Sequence, residues 1–186
     1  YGHSTWTNNG VTFDQVNSIK GHAAKFNGGT TTTATNTSNL DFNTGNFNIQ
    51  FDVKVTDISS GFNRYSFTNN VNYNYSGSIW LVASNYLGFD YVDKPLNSSA
   101  LNVGSISMNT YYNRIITRLG SSLNAFCNDV IIGTHNLTTQ SFNFVNGGQG
   151  CLGKAPNFGI GESFYGYIDN FKSIKVHHGN VVIDKP

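Results

Sequence analysis

The chain has 186 residues, 11 Lys+Arg against 10 Asp+Glu, and a charged share of 11%, under half the usual share of about 25%. That balance excludes a nucleic-acid binder, which needs a Lys/Arg footprint to displace counterions. No apolar run reaches the roughly 18 residues of a membrane-spanning helix. Polarity comes instead from 27 Asn and many Ser and Thr, and the 26 aromatics can build a core, so disorder is not expected.

In chain order, the opening Tyr1-Gly2-His3-Ser4 lacks the charged and apolar regions of a signal peptide, and none is predicted. The missing start Met implies an excised or processed piece. The length fits one domain over residues 1–186. Helix formers are scarce throughout. Asn27-Gly28-Gly29 marks a positive-φ turn that ends a strand. The Thr-rich tract Thr30–Thr37 is one strand or loop. Phe47 to Val55 alternates strictly, with apolar Phe47, Ile49, Phe51, Val53 and Val55 between polar Asn48, Gln50, Asp52 and Lys54. That is a strand with one buried face.

Further strands are predicted at Arg64–Asn69, Ser78–Ala83, Tyr86–Tyr91, Tyr112–Leu119, Leu123–Cys127, Val130–Thr134 and Tyr165–Val176. Turn residues separate them at Ser76-Gly77, Leu119-Gly120-Ser121, Asn128-Asp129 and Asn146 to Gly150. In the last strand Ile168 and Phe171 stand three apart, which predicts a bulge near Asp169. The fold class is all-β, a two-sheet antiparallel β-sandwich or jelly roll. Cys127 and Cys151 are too few for a disulfide framework, and one bridge or two thiols both fit. Sequons at Asn36, Asn74, Asn97 and Asn136 are what an Asn-, Ser- and Thr-rich composition produces by chance.

Three stretches are more specific. They are Trp6 to Gly10 with Gly21-His22-Ala23-Ala24-Lys25-Phe26-Asn27-Gly28, then Leu40 to Phe51, then Phe164-Tyr165-Gly166-Tyr167-Ile168-Asp169-Asn170-Phe171. With the hairpin from Tyr111 to Gly133 and its Arg118, they resemble laminin-G-like, concanavalin-A-like jelly-roll domains of phage tail proteins and bacterial surface proteins. The resemblance runs in order over nearly the whole chain and implies the same sandwich. Three features depart from it: Asp52 and Tyr111 stand where the family has Trp, and Asn128-Asp129 replaces an Asp-Gly turn.

Some relatives of this fold cleave polysaccharides with two carboxylates roughly 5–5.5 Å apart. Their Glu-x-Asp-x-Glu strand is impossible here, because Glu162 is the single Glu. The alginate-lyase motifs Arg-x-Glu-x-Arg, Gln-x-His and Tyr-x-Lys-x-Gly-x-Tyr are also absent. Asp90 and Asp93 read as solvated carboxylates near Lys94 rather than a catalytic pair. His177 and His178, adjacent on a strand, point to opposite faces and make a poor metal pair. No enzyme is expected.

The middle of the chain is dense in aromatics and amides. Tyr and Trp faces stack on the C–H face of a sugar, and amides or charges bond its hydroxyl rim. The aromatic candidates are Tyr73, Tyr75, Trp80, Tyr86 and Tyr91, with Asn85, Asp90 and Arg64 as polar partners. Trp80 and Tyr91 fit equally as core residues of their strands. The resemblance further implies a structural calcium ion held by Asp169 and Asn27, oxygen ligands of the kind Ca²⁺ takes.

The reading is a non-catalytic recognition module for a glycan or cell-surface polysaccharide. It sits in a virion tail or on a secreted or cell-surface protein, and as part of a tail fibre it would be a homotrimer. The rivals are a spacer or decoration domain without ligand, and a polysaccharide-degrading enzyme.

Overall fold

Strands, and no helix, make up the regular structure of the described residues. In the computed structural model these are 6–28, 33–36, 45–57, 64–69, 77–82, 86–92, 98–105, 107–136, 150–153 and 164–176. One seven-stranded antiparallel sheet runs β1 (Trp6–Asn9), β4 (Thr33–Asn36), β13 (Gly150–Leu152), β6 (Arg64–Asn69), β7 (Gly77–Val82), β8 (Tyr86–Val92) and β9 (Ser98–Ser105). The second, also seven-stranded, runs β12 (Val130–Asn136), β11 (Ser122–Cys127), β10 (Tyr111–Leu119), β5 (Asn46–Val55), β14 (Tyr165–Val176), β3 (Ala23–Asn27) and β2 (Thr12–Asp14). The all-β sandwich expected from the sequence is the architecture observed.

The alternation of β5 does what its pattern predicts. Phe47, Ile49, Phe51, Val53 and Val55 are all buried, while Asn46, Asn48, Gln50 and Lys54 lie on the other face. Phe26, Phe164 and Ile168 extend this core across β3 and β14, and Ile116, Leu123 and Ala125 extend it across β10 and β11. Phe26 meets Phe164 edge-on at 5.8 Å, and Phe51 meets Phe171 at 6.1 Å. At roughly 25 cal/mol per Å² of apolar surface, such side chains give about 1.5–3 kcal/mol each.

Two glycines are required by close approach. A Cβ on Gly166 would lie 2.1 Å from the Lys54 carbonyl oxygen, and one on Gly28, at φ 65°, would lie 1.9 Å from the Tyr165 ring. Gly28 therefore closes β3 as the Asn-Gly-Gly turn predicts, and Gly166 lets β5 and β14 pair tightly. The predicted bulge is present. Asp169 pairs with Asp52 and Lys172 with Gln50, so one extra residue is accommodated, and Asn170 takes a left-handed φ of 51°.

The β11–β12 turn uses Asn128 and Asp129, both left-handed at φ 48° and 64°, the type I′ geometry that an Asp-Gly pair also adopts. Asn128 Oδ1 accepts from the Asn113 N–H at 2.8 Å, which fixes the turn against β10. Four strands were not in the predicted set, β1, β2, β9 and β13; β3 was expected only as the strand that Asn27-Gly28-Gly29 ends, and β4 lies in the Thr30–Thr37 tract read as one strand or loop. β2 and β13 have three residues each, and β9 is Ser-Ser-Ala-Leu-Asn-Val-Gly-Ser, so none carries a local strand pattern. Each forms because a neighbour supplies a ladder. Cys127 is a free thiol, so no disulfide joins it to Cys151.

Candidate functional site

On the outer face of the second sheet, polar side chains of β5, β10 and β14 hold down the segment between β2 and β3. Asp52 takes an outward position in β5 yet is only 8% exposed. Its Oδ1 accepts from Asn113 Nδ2 at 2.8 Å and its Oδ2 from Asn170 Nδ2 at 2.7 Å. Opposite it in β14, Asp169 Oδ2 accepts the backbone N–H of Ile19 at 2.7 Å and of Lys20 at 3.2 Å, and Oδ1 accepts that of Asn170 at 2.8 Å. The bulge aims this carboxylate at the loop.

Asn17 is tied from both sides. Its amide groups donate to the Asp14 carboxylate at 3.0 and 2.9 Å, and its Oδ1 accepts from Lys54 Nζ at 2.8 Å. Its carbonyl accepts from the Tyr111 hydroxyl. The Lys54 ammonium also lies over the rings of Tyr111 (5.0 Å) and Tyr167 (4.7 Å), where ring quadrupoles attract it. The Asn17 side-chain bond is the main cause that lowers the Asp14 pKa. Burial, then the Asp169 charge, pushes Tyr111 well above the ordinary phenol value and keeps it a donor. Both oxygens of Asp52 and Asp169 are engaged by N–H groups: Asp169 holds the loop, and Asp52 fixes the Asn113 and Asn170 side chains beside it.

The inner face of β10 is less orthodox. Arg114 and Arg118 are 4% and 7% exposed, at the same strand phase as buried Ile116. Burial lowers the pKa of both guanidiniums. Arg118 Nε donates to the Gly120 carbonyl at 3.1 Å. No sequence reading placed Arg114 in the core.

The predicted metal ligands do not converge. Asn27 is exposed and pairs with Tyr165, four residues from Asp169 along β14, a spacing of roughly 13 Å in a strand. The Asp169 oxygens are met by three backbone N–H donors, the wrong polarity for sharing with a cation. No group of three or more His, Cys, Asp or Glu gathers among the described residues. The donor set does not fit calcium at this pair.

Of the predicted glycan contacts, Tyr73, Tyr75 and Asn85 lie outside the described residues, as do Asp93, Glu162, His177 and His178. The other five fall on three adjacent strands, β6, β7 and β8. Register divides them. Trp80 pairs with Tyr65 and Gly88, Tyr86 with Val82, and Asp90 with Ser78. Directly paired residues share a phase, and so do residues two apart. Trp80, Tyr86 and Asp90 therefore share one strand phase with Tyr65, which the sequence reading did not single out. Arg64 pairs with Leu81 and Tyr91 with Gly77, so both belong to the opposite phase, with Ile79, Leu81, Leu87 and Phe89. Only pairing across strands could have revealed Tyr65.

No family model matches the chain, and no curated protein matches it in sequence. Solved structures match its fold. The binding domain of Paraclostridial Mosquitocidal Protein 1 superposes with a TM-score of 0.75 at 14% identity, over 91% of this chain and 44% of that one. Domain 4 of AbnA, an extracellular GH43 arabinanase from Geobacillus stearothermophilus in complex with arabinotriose, gives 0.72 at 14% identity, over 94% and 83%. A botulinum neurotoxin type C structure, whose cell entry depends on two ganglioside molecules, gives 0.68 at 16% identity, over 92% and 43%. The chain thus spans less than half the length of both toxin structures.

Proposed function

We propose that this chain is a non-catalytic recognition module that binds a carbohydrate, free or carried on a cell surface, within a larger tail, toxin or surface protein. The observation that carries the reading is the register of β6, β7 and β8. One phase is apolar at Ile79, Leu81, Leu87 and Phe89, and that is the phase an antiparallel sandwich turns to its core. The other phase holds Tyr65, Trp80, Tyr86 and Asp90, with Gly88 directly beside Trp80. Two aromatics in a row, a carboxylate diagonal to them and a glycine without a side chain suit a sugar ring and its hydroxyl rim. Tyr73, Tyr75 and Asn85 are proposed as further glycan contacts. A structural neighbour that is an arabinanase domain with bound arabinotriose, and another whose cell entry depends on gangliosides, support a glycan ligand over a spacer role. The single Glu of the chain speaks against the hydrolases of this fold.

The test is a glycan array and titration with arabino-oligosaccharides and ganglioside headgroups, run with and without calcium. At least one glycan should bind. Trp80→Ala and Tyr86→Ala should each weaken it about tenfold, the scale of a lost aromatic contact, with the circular dichroism spectrum unchanged. Binding unaffected by Tyr73→Ala, Tyr75→Ala, Trp80→Ala and Tyr86→Ala together would remove this surface from consideration. No binding to any glycan or host cell would favour the spacer.

A further inference from the structure

Arg114 and Cys127 are direct partners across β10 and β11. On its other side Arg114 pairs with Phe51, deep in the core, and it is 4% exposed. Among the described residues its Nε and Nη1 have no hydrogen-bond partner. Its guanidinium lies 5.7 Å from the centre of the Tyr112 ring, which attracts the charge but accepts no in-plane bond. Burial lowers its pKa, and the Cys127 sulfur, through charge and a hydrogen bond, is the largest opposing influence. A buried cation with two donors unsatisfied is costly for a fold to retain. Cys127 itself is free and partly exposed, beside the Asn128-Asp129 turn. A thiol sulfur is a weak acceptor, whereas an anionic oxygen on that sulfur is a strong one. Partly exposed cysteines beside Arg are the ones that react.

We propose that Cys127 is an oxidation site, taking one oxygen from a hydroperoxide to form a sulfenate that Arg114 holds. The sulfur, as thiolate, attacks one peroxide oxygen. An S–O bond forms as the O–O bond breaks, sulfur loses two electrons, and the peroxide gains them. The hydroxide or alkoxide that leaves takes up the proton the thiol released, and the S–OH so formed gives its own proton to solvent, leaving the sulfenate. The new oxygen, on the sulfur of Arg114's direct cross-strand partner, supplies a strong acceptor for one of the bare donors, Nε–H or Nη1–H. The site is independent of any glycan surface on the first sheet.

The reduced 186-residue chain is treated with hydrogen peroxide and then dimedone, and peptide mapping separates Cys127 from Cys151. A dimedone adduct is expected at Cys127. Delayed addition of dimedone measures the sulfenate lifetime, which should fall about tenfold in Arg114→Gln, the scale of one lost charge-assisted hydrogen bond. If Arg114→Gln does not fold, the same lifetime is compared in wild-type protein, native and in urea, and the native value should be about tenfold longer. Failure of Cys127 to form an adduct overturns the proposal, whether or not iodoacetamide alkylates it. So does a lifetime indifferent to Arg114 and to unfolding.

Discussion

Asp169 binds three backbone amides, two from the loop after β2 and one from its own bulge. A carboxylate in that position orders residues nearly 150 positions away in sequence. Asp169→Ala should therefore lower stability by about 3 kcal/mol, the upper range for bonds to a charged group, read as a fall in the urea midpoint at constant slope. Asp169→Asn should lose less, because one amide oxygen still accepts. A midpoint unchanged by Asp169→Ala would mean that the loop is held elsewhere. Tyr111 makes a prediction in pH. Its pKa is raised by burial and by Asp169, so above about pH 10 the unfolded chain gives up a proton that the folded one keeps. The unfolded state then binds fewer protons, and stability falls as pH rises. The melting temperature of wild-type protein should drop more steeply from pH 9.5 to 11 (roughly the phenol range) than that of Tyr111→Phe. Parallel curves would refute the shift.

Hairpins test the backbone. Asp129 holds a φ of 64° at the second central position of the β11–β12 turn, where a non-glycine residue costs about 1 kcal/mol. Asp129→Gly should raise the urea midpoint by a corresponding amount, and a decrease would show that the side chain contributes more than its backbone strain costs. The legibility of each element follows from similar physics. β5 could be read because water lies over one face and the core under the other. The bulge in β14 could be read because an extra residue breaks a period of two. β10 could not be read in phase: Arg114-Ile115-Ile116-Thr117-Arg118 offers two adjacent isoleucines, and the fold buries Ile116 together with both arginines. β13 owes its place between β4 and β6 to pairing alone. The candidate site was legible as residue types in β6 to β8. Its division into two phases was not, because phase belongs to the register between strands. The Asp52–Asp169 arrangement was equally hidden, since it is assembled from segments more than 100 positions apart.

At the scale of the whole molecule, three of the six ladders in the second sheet, β10–β5, β5–β14 and β14–β3, join segments far apart in the chain. β14 lies between β5 and β3 and pairs with both. A sandwich so dependent on long-range pairing should refold from urea in milliseconds to seconds, followed by tryptophan fluorescence. Complete refolding within microseconds would contradict the topology. A chain lacking residues 164–176 should lose dispersed amide resonances altogether, since β2 and β3 would have no sheet to join. The position of β14 also bears on synthesis. Once β5 has left the ribosome, roughly 110 residues must follow before its partner strand appears. At about 5–20 residues per second that is a wait of about 5–20 seconds. Throughout it, the edge of β5 that β14 will pair with, a row of unpaired N–H and C=O groups, stands open to chaperones and to other nascent chains.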